Sequence, residues 1–204
     1  MVNDQLIYGL RPILQAVQDG QTIDKVFLQK GISGALYTQL EGTLRDAGIE
    51  PKYVPVEKLN RVTRGNHQGA VAYLSPIDFH DLEEVIMKVI EAGRKPLILA
   101  LDRITDVRNF GAIARTADCS GVDAIVIPKN DSAPVSADAV RTSTGALLEV
   151  PVCKVNHMKD AVYLAQSLGL KIIAGTEKSE TPMFEAPHNN HTGLIKGRFV
   201  HRGF

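Results

Sequence analysis

The chain has 204 residues, 44% of them hydrophobic and 23% charged, with 23 basic side chains balanced by 23 acidic ones. That length suits one or two domains and can bury a substantial core. The neutral balance excludes a polybasic nucleic-acid binder, so any RNA affinity must come from local patches. No apolar run approaches a membrane span, and Met1–Asp4 lacks the charged and apolar segments of a signal peptide, so a cytoplasmic location is expected. Cys119 and Cys153 have no metal or redox spacing and read as reduced packing residues, and no metal is implied.

In chain order, Leu10 to Val17 is helical in pattern and Gly20 breaks it. Asp24 to Gln29 predicts a strand, and Gly34 to Ala47 an amphipathic helix ending before Gly48. Lys52 to Val56 and Ala70 to Leu74 predict two more strands. Between them the segment Lys58 to Gly69 reads as a polar, basic loop carrying Lys58, Arg61, Arg64, Asn66, His67 and Gln68, with no acid after Glu57. Arginines in such a loop can grip phosphates, and Asn66 and Gln68 can read exposed base edges. Few aromatics accompany the patch, so strong base stacking is not expected. Ser75–Asp78, with its Ser-Pro step, is the expected linker.

A helix follows at about Leu82 to Ala92, and then strand, loop, helix and strand from Leu97 to Pro128. Leu97–Leu101 and Ala124–Ile127 are short apolar runs suited to buried parallel strands. Asn109 can cap the intervening helix, whose small apolar face is Ala112, Ile113, Ala114 and Ala117 and which Gly121 closes. Arg115 then falls in the first two turns, where the helix dipole disfavours a cation, and an anionic partner is the simplest reason for it. The small residues of Ser136 to Ala146 suit close packing or backbone approach to RNA or a second subunit. A helix around Met158 to Leu168 leads into a strand at Lys171 to Ala174, and the loop Gly175-Thr176-Glu177 lies at that strand's carboxyl end, where open α/β sheets place ligands. Alternating strands and helices predict an α/β fold with a parallel sheet covered on both faces. No internal repeat or low-complexity segment is present.

The run Asp106-Val107-Arg108-Asn109-Phe110-Gly111-Ala112-Ile113-Ala114-Arg115, continuing through Ala124, resembles the first motif of the SpoU/TrmH family of RNA 2′-O-ribose methyltransferases. Tyr8-Gly9-Leu10-Arg11-Pro12 and Asn66-His67-Gln68-Gly69 resemble the bacterial branch that modifies a guanosine of 23S ribosomal RNA. Together these resemblances span roughly residues 5 to 186. They imply a small α/β RNA-binding domain over 1–76, a linker and helix over 77–95, and a knotted-methyltransferase-like domain over 96–185. They further imply S-adenosylmethionine as methyl donor, ribosomal RNA as substrate, and a homodimer where the C-terminal region is complete. By resemblance Arg115 helps to activate the ribose hydroxyl, Asn109 shapes the adjoining site, and Thr176 borders the donor pocket. Arg11, Arg61, Arg64, Asn66, His67 and Gln68 become candidate RNA contacts. A guanidinium can stabilise the charge that develops on a ribose oxygen.

From Ala186 to Phe204 the composition changes: no acid occurs, and Lys196, Arg198 and Arg202 are basic. The two later motifs of the family, a glycine–glutamate loop and a serine–leucine–asparagine stretch, are not found there. This segment is therefore expected to be a divergent basic tail, with the domain before it truncated and one side of its sheet uncovered. The alternative reading is a non-catalytic RNA-binding remnant that lacks the donor pocket. A nucleotide-binding domain without an RNA role is weaker, since no phosphate-cradling glycine loop is present.

Overall fold

The computed structural model describes residues 6–175 and 192–197. They divide into two compact units, the first running to Ile77 and taking in Val135–Ala137, the second formed by Asp78–Pro134 and the residues from Asp138 on. The first unit contains β1 (Leu6–Tyr8), α1 (Leu10–Gln18), β2 (Ile23–Gln29), α2 (Ala35–Asp46), β3 (Lys52–Val54), α3 (Val56–Val62) and β4 (Ala70–Leu74). Its four-stranded sheet has the order β1-β4-β2-β3, with β4 antiparallel to both neighbours and β3 parallel to β2. Alternation along the strands sends Val26, Leu28, Ala70 and Ala72 to one face, where Ile13 and Leu14 of α1 and Tyr37, Leu40 and Leu44 of α2 pack on them. The opposite face carries Val54 and Val71 under Leu59 of the short α3. The basic segment expected as a loop therefore begins as a helix, because Leu59 and Val62 have an apolar face to cover.

The second unit adds β5 (Phe79–His80), α4 (Leu82–Glu91), β6 (Leu97–Asp102), α5 (Val107–Cys119), β7 (Ala124–Pro128), α6 (Ala137–Thr142), α7 (Ala146–Glu149), β8 (Val152–Val155), α8 (Met158–Ser167), β9 (Lys171–Gly175) and β10 (Thr192–Gly197). All six strands run parallel in the order β5-β8-β7-β6-β10-β9. From β6 the chain steps to β7 and β8, then returns to the far edge at β9. Because parallel crossovers are right-handed, the two directions of travel send α5 and α8 to opposite faces. Leu82 and Ile86 of α4 and Ala161 and Ala165 of α8 pack with Ile98, Ala100, Val126 and Cys153 on one face. Leu99, Leu101, Ile125 and Ile127, of opposite parity, are buried on the other, as are Phe110 and Ala114 of α5. No helix among the described residues is long and apolar enough to cross a membrane.

One part of the expected tail is a strand. The segment read as a divergent tail contributes β10, which pairs with β6 along Leu97–Asp102 and with β9 along Lys171–Gly175. Thr192–Gly197 is thus an interior strand, although neither the glycine–glutamate loop nor the serine–leucine–asparagine stretch follows it in the sequence. Its residues, with glycines at 193 and 197, carry only a faint strand signal, because a strand paired on both edges is specified by its neighbours' backbone as much as by its own side chains.

Asp123 fixes the start of β6. One of its carboxylate oxygens accepts from the Leu97 amide at 2.9 Å, and the other lies 2.8 Å from the Arg94 guanidinium. A second close contact sets α5. A Cβ at Gly111 would stand 2.7 Å from the Thr142 Cβ and 3.0 Å from the Ala139 carbonyl and the Ser143 amide nitrogen. Only glycine allows α5 and α6 this approach.

Two measurements test the packing. In an unobstructed helix interior Gly→Ala stabilises by about 1 kcal/mol, whereas Gly111→Ala is expected to lower stability by about 1–3 kcal/mol in thermal melts, as overpacking does; a gain would contradict the contact. Burial, and secondarily Asp81, pushes the Cys153 thiol up to about 12, while Cys119 is exposed. One thiol should therefore react with a disulfide reagent at mildly alkaline pH in the native protein, and two only after unfolding.

Candidate functional site

The strand order reverses at β6 and β10, and ligands in open α/β sheets bind outside the carboxyl ends of strands at such a point. Here β6 ends at Asp102, which stands opposite Gly197 of β10, and β9 ends at Gly175. Arg103, immediately after β6, is held at φ 55°, a left-handed conformation that costs a non-glycine residue on the order of 1–2 kcal/mol. The turn leads into α5. Thr176 and the segment after it, through 191, lie outside the described residues.

The cap of α5 differs from the expectation. Asp106, not Asn109, is the N-cap, and its carboxylate accepts from the Asn109 amide at 2.8 Å. Both residue types cap well, and an Asp three positions earlier adds a full turn at the N-terminus. Arg115 is consequently the ninth helical residue, beyond the first two turns, and the dipole argument for its placement no longer holds. What remains is its environment: Arg115 is exposed and makes no ion pair or hydrogen bond among the described residues. Asn109 and Arg115 are six positions apart, about 120° around the helix axis, so they do not share a face. Arg108 does share the face of Arg115, two turns away, with exposed Ala112 between them. Gly121 closes the helix at φ 69°, as expected.

In the first unit the structure brings together residues that are far apart in sequence. The Gly9 amide donates to the Ala70 carbonyl at 2.9 Å, and the Gln29 amide to the Gly69 carbonyl at 2.7 Å. The first bond fastens the segment 65–70 to the start of α1, where Arg11 is exposed, and the second to the end of β2. Arg64, Asn66 and Gln68 are exposed on that segment, and Arg61 is exposed in the last turn of α3. Lys58 differs from them, since its ammonium lies 5.0 Å from the centre of the Phe27 ring.

His67, grouped by sequence with the RNA contacts, is 9% exposed and points inward. Its Nδ1 accepts from the Gly69 amide at 3.0 Å, and its Nε2 lies 2.9 Å from the Asn60 Oδ1. An accepting Nδ1 leaves the ring hydrogen on Nε2, which donates to Asn60. The ring therefore ties α3 to the segment that follows it and spends both nitrogens inside the protein. Next to it Gln68 adopts φ 49° and Gly69 φ 82°, and a Cβ at Gly69 would come within 2.5 Å of Ile32. This double left-handed turn is what exposes Gln68. Among the described residues no group of three His, Cys, Asp or Glu side chains is placed to hold a metal.

With this geometry in place, comparison with known proteins is direct. Residues 6–80 match the model of the RNA 2′-O ribose methyltransferase substrate-binding family, and residues 96–198 match the SpoU rRNA methylase family. The second match runs into the segment expected to be divergent and takes in β10. A TrmH family tRNA/rRNA methyltransferase of Staphylococcus epidermidis is 31% identical over 86% of this chain and 70% of its own length. One of Staphylococcus saprophyticus is 27% identical over 94% of this chain and 77% of its own. Among solved structures, the SpoU methyltransferase AviRb of Streptomyces viridochromogenes in complex with AdoMet superposes with a TM-score of 0.51 at 24% identity, over 96% of this chain and 73% of that one. An AdoMet-bound rRNA methyltransferase of Sinorhizobium meliloti gives 0.51 at 20% identity, over 96% and 71%. The α/β architecture, with a substrate-binding module followed by a parallel-sheet module, is thus a known one, and the chain belongs to the SpoU/TrmH family of methyltransferases.

Proposed function

We propose that this chain transfers a methyl group from S-adenosylmethionine to a ribose 2′-hydroxyl of ribosomal RNA, at a guanosine of the large subunit, and that it works as a homodimer. The observation that carries the reading is the presence, in one chain, of an RNA-substrate module and a methylase module that each expose arginines without a carboxylate partner among the described residues. Such side chains are free to meet phosphate, and guanidinium suits phosphate geometry better than ammonium does.

The described part of the switch point suits the donor. Asp102 offers a carboxylate for ribose hydroxyls at the end of β6, and Gly175 and Gly197 end their strands without side chains that would fill the crevice. When bound, S-adenosylmethionine supplies an electrophilic methyl on a sulfonium. The protein's part is to hold the ribose and ease loss of the hydroxyl proton. Arg115 stabilises the charge growing on the 2′-oxygen, and Arg108 on the same face holds a neighbouring phosphate. Arginine is a poor proton acceptor, so its contribution is electrostatic. In the first unit Arg11, Arg61 and Arg64 bind the backbone while Asn66 and Gln68 reach bases. His67 is a positioning residue that keeps Gln68 presented.

The test is radiolabelled methyl transfer by the chain to ribosomal RNA and, separately, to transfer RNA, with modified sites mapped by resistance to alkaline hydrolysis. Transfer to large-subunit RNA is expected, and transfer to transfer RNA alone would replace the substrate assignment. Donor binding without transfer, or RNA binding without donor binding, would favour the non-catalytic RNA-binding reading. Arg115→Ala should lower the transfer rate about a hundredfold, the scale of one lost electrostatic donor, with donor affinity unchanged. Joint Arg61→Ala and Arg64→Ala should weaken RNA binding and reduce its log–log salt dependence by about two.

His67→Ala should cost about 1–3 kcal/mol in thermal melts, because it strands the Gly69 amide. It should also weaken RNA binding although the ring is buried. His67→Asn, which restores an acceptor near the Nδ1 position, should recover part of both losses. Equal RNA affinity in a folded His67→Ala protein would remove the positioning role.

A further inference from the structure

We propose that Tyr8 is a stacking residue for an unpaired RNA base, an assignment that rests on the RNA reading above and adds a contact that composition alone did not suggest. Tyr8 is the last residue of β1, at the edge of the four-stranded sheet, and it is 40% exposed. It pairs with Val71, which pairs in turn with Phe27, so Tyr8 lies on the sheet face against which the short α3 packs.

Gly65 fixes the ring. A Cβ at position 65 would stand 2.5 Å from Cε2 and Cζ of Tyr8 and 2.6 Å from its hydroxyl. The φ of Gly65 is not left-handed, so the backbone does not demand glycine there; the close approach to the ring does. The hydroxyl end of Tyr8 is thus braced by backbone while much of the side chain stays open. A braced aromatic loses little freedom when a ligand covers it. Its hydroxyl has no hydrogen-bond partner among the described residues.

The electrostatic setting selects the ligand. Arg64 and Asn66 flank Gly65, Arg11 lies three residues beyond Tyr8, and all three are exposed. No carboxylate occurs from residue 5 to 18 or from 58 to 77. Another exposed tyrosine of the same unit shows the contrast, since the Tyr53 hydroxyl donates to Glu41 at 2.6 Å beside a charge that repels phosphate. An aromatic ring rimmed by arginines is the arrangement that holds single-stranded nucleic acid, with base on ring and phosphate on guanidinium. Stacking is tolerant of sequence, so Tyr8 supplies affinity for an unpaired base while Asn66 and Gln68 supply choice.

The chain contains no tryptophan, so Tyr8→Trp creates a single fluorescent reporter at the position in question. The probe is a stem-loop RNA with unpaired purines in its loop. Tyr8→Trp is expected to bind at least as tightly as the parent and to show quenched emission on binding. Tyr8→Phe should bind like the parent, and Tyr8→Leu should lose roughly tenfold in affinity, as stacking losses do. Arg11→Ala and Arg64→Ala are measured alongside. If the arginine variants weaken binding while Tyr8→Leu binds like the parent and the tryptophan is unquenched, stacking is overturned and the RNA reading stands. If the parent binds no RNA, both fall. Should Tyr8→Leu fail to fold, the quenching of Tyr8→Trp decides alone.

Discussion

The second unit depends on β6 being hydrogen-bonded along both edges, to β7 on one side and β10 on the other. A wholly parallel sheet cannot leave a face in water, because its strands are apolar on both sides. With β6 at the reversal of strand order, right-handed crossovers distribute helices to both faces, and β6, β7 and the start of β8 are buried between them. The same reversal is the point at which open α/β sheets take ligands, at the carboxyl ends of β6 and β10. Fold stability and the proposed ligand position therefore rest on one topological choice. The Asp123 carboxylate, shared between the Leu97 amide and Arg94, anchors the amino end of β6.

A chain without net charge can still present cationic surfaces, because what matters to phosphate is which arginines lack an internal partner. Arg94 is occupied by Asp123 and Arg141 pairs with Asp138, whereas Arg11, Arg61, Arg64, Arg108 and Arg115 are exposed and meet no carboxylate among the described residues. In the first unit this surface is organised by groups that do not themselves face outward. His67 and two backbone bonds hold a turn that would otherwise pay for its left-handed residues with nothing gained. Buried polar contacts of this kind fix geometry as much as they add stability.

Elements with a clear pattern were legible in the sequence: α1, α2, α4, α5 and α8, and the strands β2, β3, β4, β6, β7 and β9. Those missed were short or specified from outside. β1 has three residues and β5 two, too few for alternation to declare itself. α3 was hidden by its charge, since three basic or amide side chains surround the single buried Leu59. The cap of α5 was misplaced because Asp106 and Asn109 are both competent and only the fold chooses. Within the candidate site, Arg11, Arg61, Arg64, Asn66 and Gln68 are exposed as a contact role needs, yet nothing in the string Asn66-His67-Gln68 tells that the middle residue turns inward. The bracing of Tyr8 by Gly65 was equally invisible, because those residues are neighbours only once β1 pairs with β4.

The interior place of β10 has a consequence for how the chain reaches its native state. Its register partners on β6, such as Thr192 and Leu97, are about 95 residues apart in sequence. Long-range parallel pairings of this sort repay their loop-closure entropy late, and folding slows accordingly. During synthesis β6 can pair with β7 well before β10 emerges from the ribosome, so for that interval the middle of the future sheet is an open edge. Open edges invite foreign strands. The strand that joins β6 to β9 is thus also the one that ends this open edge's exposure to aggregation.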